Sequence, residues 1–113
     1  MKIVINTCYG GFGLSERAME LYAKKKDWNL IIDDDQGFIK HYYINEKNDN
    51  NYFYDREIAR NDSTLIEVIE ELGSTANGSF AKLKIIDIPD DVEWDIEEYD
   101  GMEWVAEKHR TWS

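Results

Sequence analysis

The chain has 113 residues, with 24 Asp and Glu against 13 Lys and Arg, giving a formal net charge of −11. This length fits a single domain, residues 1–113, with a buried core that needs no disulfide or metal staples, and 42% hydrophobic with 13% aromatic residues excludes a disordered polyelectrolyte. So acidic a surface repels nucleic-acid backbones and anionic lipid, suits a basic protein partner, and keeps a small protein soluble. The single cysteine, Cys8, leaves no internal disulfide and fits a reducing cytoplasm. No apolar run approaches the roughly 20 residues of a membrane span, and the start reads as a strand rather than a signal peptide.

In chain order, Lys2 to Asn6 reads as a short strand, and the unbroken Ile3-Val4-Ile5 run predicts burial on both faces. A glycine-rich turn, Gly10-Gly11-Phe12-Gly13, follows. Ser15 is placed to cap a helix in which Leu14, Ala18, Leu21 and Tyr22 recur at helical spacing, and Lys24, Lys25 and Lys26 complement the dipole of its last turn. Asn29 to Ile32 is a second apolar run, Asp33 to Gly37 carries turn chemistry, and Phe38 to Ile44 is strand-like. Asn45 to Asn51 is a polar loop, and Tyr52-Phe53-Tyr54 is either a short strand or a packed loop. Asp62 and Ser63 open the clearest helix, with Leu65, Val68, Ile69 and Leu72 as its stripe and Gly73 past its end. Phe80 to Ile88 reads as a strand stopped by Pro89. Val92, Trp94 and Ile96 alternate with acids as in a half-buried strand, and Asp100-Gly101 is a two-residue hairpin signal. Met102 to Trp112 is then the returning strand, with a terminal helix as the competing reading. The expected fold is a small α+β domain, a mostly antiparallel sheet with two packed helices.

Chemistry is thin along this chain. The glycine turn lacks the Gly-Lys-Ser/Thr end of a phosphate loop and the spacing of a dinucleotide fingerprint. It still joins a strand to a helix start, where free N–H groups can meet an anion, although Glu16 in the first turn would compete with one. Cys8 has no arginine at the spacing of a phosphatase loop, and His41 and His109 fall at no catalytic spacing from it. One Cys and two distant His residues match no zinc pattern, and Asp33-Asp34-Asp35-Gln36-Gly37 lacks the alternating ligands of a calcium loop. No metal, cofactor or catalytic group is expected. Two further features stand out. Asp90, Asp91, Glu93, Asp95, Glu97, Glu98 and Asp100 form the densest acid run, with Glu93, Asp95 and Glu97 on one strand face, where they discourage edge pairing or present a basic partner with phosphate-like spacing. Lys108-His109-Arg110-Thr111-Trp112 combines cations with a His and an aromatic, a set that suits a nucleotide-sized ligand. Arg56 and Arg60, ahead of the second helix, are further cations.

Both ends also resemble a family of small, mostly uncharacterised proteins encoded in tailed-phage genomes. The resemblance rests on Met1-Lys2-Ile3-Val4-Ile5-Asn6-Thr7-Cys8-Tyr9-Gly10-Gly11-Phe12-Gly13-Leu14-Ser15, on Leu83 to Trp94, and on Tyr99-Asp100-Gly101 through Glu107-Lys108-His109-Arg110-Thr111-Trp112. It extends over the second helix, while about residues 27 to 55 look variable. Where the family pattern before that helix has Arg-x-Asp-Pro-x-Leu, this chain has Arg60-Asn61-Asp62-Ser63-Thr64-Leu65, with Ser63 in place of a proline that would only pre-organise the helix start. The resemblance implies a phage accessory protein acting in the cytoplasm of the infected bacterium. Small phage proteins of this kind resemble counter-defence factors. Some sequester nucleotide immune signals such as cyclic dinucleotides or cyclic ADP-ribose isomers, and others block a host protein, at times by acidic mimicry of DNA.

The expectation is therefore a non-catalytic protein that captures a small anionic nucleotide. Gly10, Gly11, Gly13 and the Ser15-capped helix start would hold phosphate, Arg60, His109 and Arg110 would neutralise it or bond to it, and Tyr9, Phe12 or Trp112 would stack on a base. A homo-oligomer sharing this pocket between subunits would shield it from the net charge. The alternative is an acidic inhibitor of a basic host protein, acting through Asp90, Asp91, Glu93, Asp95, Glu97 and Glu98.

Overall fold

A computed structural model describes residues 1–34 and 40–107. The described chain forms β1 (Lys2–Asn6), α1 (Glu16–Lys25), β2 (Leu30–Asp33), β3 (His41–Ile44), α2 (Ser63–Leu72), β4 (Leu83–Asp87), β5 (Trp94–Tyr99) and β6 (Met102–Glu107). Each strand pair is antiparallel: β1 with β4, β2 with β3 and β5 with β6. The result is the expected α+β domain, built from three two-stranded ladders rather than one continuous sheet.

Local chemistry accounts for the helices. Ser15 caps α1 by accepting the Ala18 N–H, and Asp62 caps α2 by accepting the Leu65 N–H. Gly73 ends α2 at φ 57°, where its N–H bonds to the Ile69 carbonyl. Buried Ala18, Met19 and Tyr22 from α1 meet Leu65, Val68 and Ile69 from α2. The two helices are also tied by Tyr22 Oη donating to Asp62 Oδ2 at 3.2 Å and by Lys25 to Glu71 at 2.7 Å.

β1 is the strand around which the rest is arranged. Its Val4 face joins Leu83 and Ile85 of β4 in the helix-covered core, together with Phe12, Leu14 and Phe53. Ile3 and Ile5 point to the opposite face and are equally buried, so the two-faced burial read from the sequence is what the structure has. Among the described residues, only one edge of β1 pairs with a strand. On the other, the Val4 N–H bonds to the Arg60 carbonyl at 2.8 Å and the Asn6 N–H to Glu103 Oε1 at 2.8 Å. A loop carbonyl and a side chain thus close an edge that a strand would otherwise occupy.

Several boundaries move. The strand expected from Phe38 begins at His41, and Phe38 and Ile39 lie outside the described residues. Asp33 ends β2 instead of opening the turn, and it is buried with its carboxylate 2.8 Å from Lys47. The strand expected from Phe80 begins at Leu83, because the Ala81 N–H closes a turn onto the Gly78 carbonyl and Phe80 is left exposed. Tyr52-Phe53-Tyr54 is a packed loop that inserts Phe53 into the core and joins β3 at an isolated bridge between Tyr52 and Tyr43, with the Phe53 N–H bonded to the Tyr42 carbonyl at 2.8 Å. Met102 onward is strand, not helix, through Glu107. Asp100 and Gly101 make the turn with φ of 52° and 90°, the positive pair expected of a two-residue hairpin.

Candidate functional site

Asn6 organises the region around the glycine turn. Fully buried at the end of β1, it accepts from Cys8 N–H and Lys82 N–H and donates from Nδ2 to the carbonyls of Cys8 and Gly101, each of the latter at 2.7 Å. That pulls the β5–β6 turn against Gly10 and Gly11, where a Cβ on Gly101 would lie 2.7 Å from the Gly10 nitrogen. On the other side of the turn, a Cβ on Gly78 would lie 2.8 Å from the Gly13 carbonyl carbon. Two of the close approaches that the glycines permit are therefore made with the protein's own backbone.

The residues expected to hold phosphate divide into two groups. Ser15 is committed to the helix cap and to the Thr75 carbonyl, and the Leu14 N–H just ahead of it is taken by Asp55 Oδ2 at 2.9 Å. An internal carboxylate therefore sits at the mouth of α1. Arg60 corrects the expectation most sharply. Its guanidinium forms a two-pronged ion pair with Glu103, one prong at 2.9 Å, and both side chains are largely buried. The same guanidinium lies 3.8 Å above the centre of the Phe12 ring. Arg60 is thus already neutralised, and Phe12, 3% exposed, has no free face for a base. Together they fix the hairpin to β1.

Tyr9, Gly10 and Gly11 remain open. With Arg56, Glu98, Asp100 and Gly101 they line a cleft of about 420 Å³. Arg56 belongs to a 3-10 turn, Asp55–Glu57, and the bond from Leu14 N–H to Asp55 draws that turn against the glycine loop. One Arg56 Nη consequently reaches within 3.8 Å of where a Gly11 side chain would begin. Arg56 is exposed and has no ion pair among the described residues.

Arg56 also lines a neighbouring cavity of about 460 Å³, walled by Lys40, Tyr42, Tyr52 and Tyr54 above Met19 and Phe53. Tyr52 and Tyr54 lie with ring centres 4.4 Å apart, and His41 Nδ1 is 3.1 Å from the Tyr52 hydroxyl. Burial raises the Tyr42 and Tyr52 hydroxyls above the usual phenol range, Tyr42 further through nearby Glu16, so both stay protonated as hydrogen-bond donors. Lys40 is paired with Glu16 at 2.8 Å. Sequence reasoning missed this tyrosine wall. The usable signal was the run Tyr52-Phe53-Tyr54, in which the central ring is buried and Tyr54 is left out.

The other candidates are separated. Among the described residues, Cys8 Sγ bonds to the Tyr9 carbonyl, at 3.9 Å, and His41 Nδ1 to the Tyr52 hydroxyl, at 3.1 Å, so the two are not paired with each other as nucleophile and base. His109, Arg110 and Trp112 lie outside the described residues. In the acid run, Glu93, Asp95 and Glu97 are exposed while Val92, Trp94 and Ile96 turn inward, as the alternation implied. Glu98 faces the Arg56 cleft, Asp91 is exposed, and Asp90 receives the Met1 ammonium at 2.6 Å, which lowers its carboxyl below the usual range. Among the described residues no helix is long and apolar enough to cross a membrane. No family model, curated protein or solved structure matches this chain.

Proposed function

We propose that the protein is a non-catalytic binding protein that captures a small anionic nucleotide in the cleft around Arg56. One observation carries this reading: Arg56 is exposed, lacks an ion pair among the described residues, and lines both the glycine cleft and the tyrosine-walled cavity. In this reading its guanidinium and the adjacent Gly10–Gly11 backbone hold phosphate. Exposed Tyr54 or Tyr9 offers a ring face to a base. Glu98 and Asp100 in the same cleft repel a polyphosphate but accept hydrogen bonds from ribose hydroxyls. The ligand that fits best therefore carries few phosphate charges and free hydroxyls, as a cyclic nucleotide or a cyclic ADP-ribose isomer does. The resemblance to phage proteins supplies the context, sequestration of an immune signal in an infected cell.

Thermal unfolding against a panel of cyclic di- and trinucleotides and cyclic ADP-ribose isomers tests it. A ligand at about 100 times its dissociation constant adds roughly 2.7 kcal/mol of apparent stability. Arg56→Ala is expected to abolish the shift while leaving the unliganded unfolding temperature unchanged, and the ligand is expected back chemically intact after denaturation. No shift across the panel, or an equal shift in Arg56→Ala, overturns the reading. A second reading, an acidic inhibitor of a basic host protein, is favoured by the exposed file of Glu93, Asp95 and Glu97. Its complex would weaken steeply with salt.

A further inference from the structure

A separate cleft of about 350 Å³ lies between the last turn of α1 and the start of α2. Three rings that line it, Tyr22, Trp28 and Phe53, pack edge against face with centres 5.8, 6.0 and 6.4 Å apart. The Tyr52 and Tyr54 rings stand beside them, Tyr54 being 55% exposed. Glu57 and Asp62 are the charged lining residues, and no Lys or Arg lines the cleft among the described residues. The two carboxylates differ. Glu57 is exposed, with no side-chain hydrogen bond or ion pair among the described residues. Asp62 accepts the Leu65 N–H on Oδ1 at 3.0 Å and the Tyr22 hydroxyl on Oδ2 at 3.2 Å. It therefore supplies a fixed negative charge whose two oxygens each already hold a donor. The chain's own Lys26 shows how a cation settles at the margin of these groups. Its ammonium lies 5.6 Å from the centre of the Tyr22 ring and 3.8 Å from Asp62 Oδ2, beyond hydrogen-bond length.

Rings and carboxylates together select a cation, and the occupied oxygens of Asp62 select its kind. A primary ammonium or a guanidinium gives up water only for acceptors that replace it. A quaternary ammonium has no N–H to satisfy and presses its methyl groups on ring faces. We propose that this cleft binds a small quaternary ammonium group, its methyls against Trp28 and Tyr54 and its charge between Glu57 and Asp62. Arg56 does not line the cleft, so the inference is independent of nucleotide capture, and the acidic chain draws such a cation toward it.

The test titrates the isotope-labelled full chain with choline and with dimethylbutanol, its uncharged isostere, following amide and indole N–H signals by magnetic resonance. Choline is expected to move the Trp28 indole and Glu57 amide signals and to bind about tenfold more tightly than the alcohol. Ethanolamine, the unmethylated amine, is expected to bind several-fold more weakly than choline. Glu57→Gln, at an exposed position, is expected to weaken choline several-fold, and Trp28→Leu about tenfold. Lys26→Ala is expected to tighten it several-fold by removing the competing ammonium. Arg56→Ala is expected to leave it unchanged, which keeps failure here distinct from failure at the nucleotide cleft. Four results overturn the proposal: choline leaving the Trp28 and Glu57 signals unmoved; the neutral alcohol binding equally, which would make the cleft merely apolar; ethanolamine binding equally, which would make the attraction charge alone; and choline affinity indifferent to Glu57→Gln or lowered by Lys26→Ala.

Discussion

The two faces of the β1–β4 ladder are finished differently. On the helix face, Val4, Leu83 and Ile85 meet α1 and α2 in a core whose central members, Val4, Ala18, Leu65 and Val68, have no exposure. On the hairpin face, Ile3 and Ile5 are buried but Ile86, Val92, Trp94 and Val105 are only half-buried around a groove. Hydrophobic packing secures the first face. The second adds polar links to the buried Ile3 and Ile5: Asn6 to Gly101 and Glu103, and Glu103 to Arg60. Stability is thus concentrated on one side of the strand pair, and the other is free to carry surface chemistry.

The contrast can be broken most severely at its polar link. Glu103→Ala leaves the Arg60 guanidinium buried without a partner and frees the Asn6 N–H, so a loss of about 3–5 kcal/mol is expected in urea unfolding. Hydrogen exchange is expected to rise first in β5 and β6. If β5–β6 and the helices open together, the two faces are one cooperative unit and the contrast fails. Leu65→Ala on the helix side is expected to cost about 2–5 kcal/mol, against about 1 kcal/mol for Val105→Ala on the hairpin side, where less area is buried. Equal costs would remove the asymmetry. The smallest effect sharpens the helix side alone. Burial, reinforced by Asp62, pushes the Tyr22 phenol up to about 12. The folded state then holds this proton more tightly than the unfolded chain, so the contribution is intact below the ordinary phenol value of 10.0 and is lost as pH climbs from there toward 12. Tyr22→Phe is expected to flatten that alkaline decline in the unfolding midpoint.

What was legible in the sequence was local. The caps at Ser15 and Asp62, the stripe of α2 and the Asp100-Gly101 turn depend on neighbours within a few residues, and all stand in the structure. The alternation from Val92 to Glu97 was equally readable. The role of Arg60 was not, because its partner Glu103 is 43 positions away and nothing near either residue marks the pair. The glycine turn was readable as a turn, but what it touches, Gly78 and Gly101, depends on distant segments meeting. Arg56 was visible only as one more cation, since its place over Gly11 follows from the contact between Asp55 and Leu14.

The closure of the second edge of β1 bears on how the chain behaves in company. Ile3-Val4-Ile5 is a short, β-branched, uncharged run, the kind of segment that templates cross-β stacking when its N–H and C=O groups are unpaired. Arg60 and Glu103 cover that edge with a carbonyl and a carboxylate instead of another strand. The buried ion pair therefore does more than anchor the hairpin: with the Arg60 carbonyl it leaves this apolar segment no free edge on that side for a like strand to join.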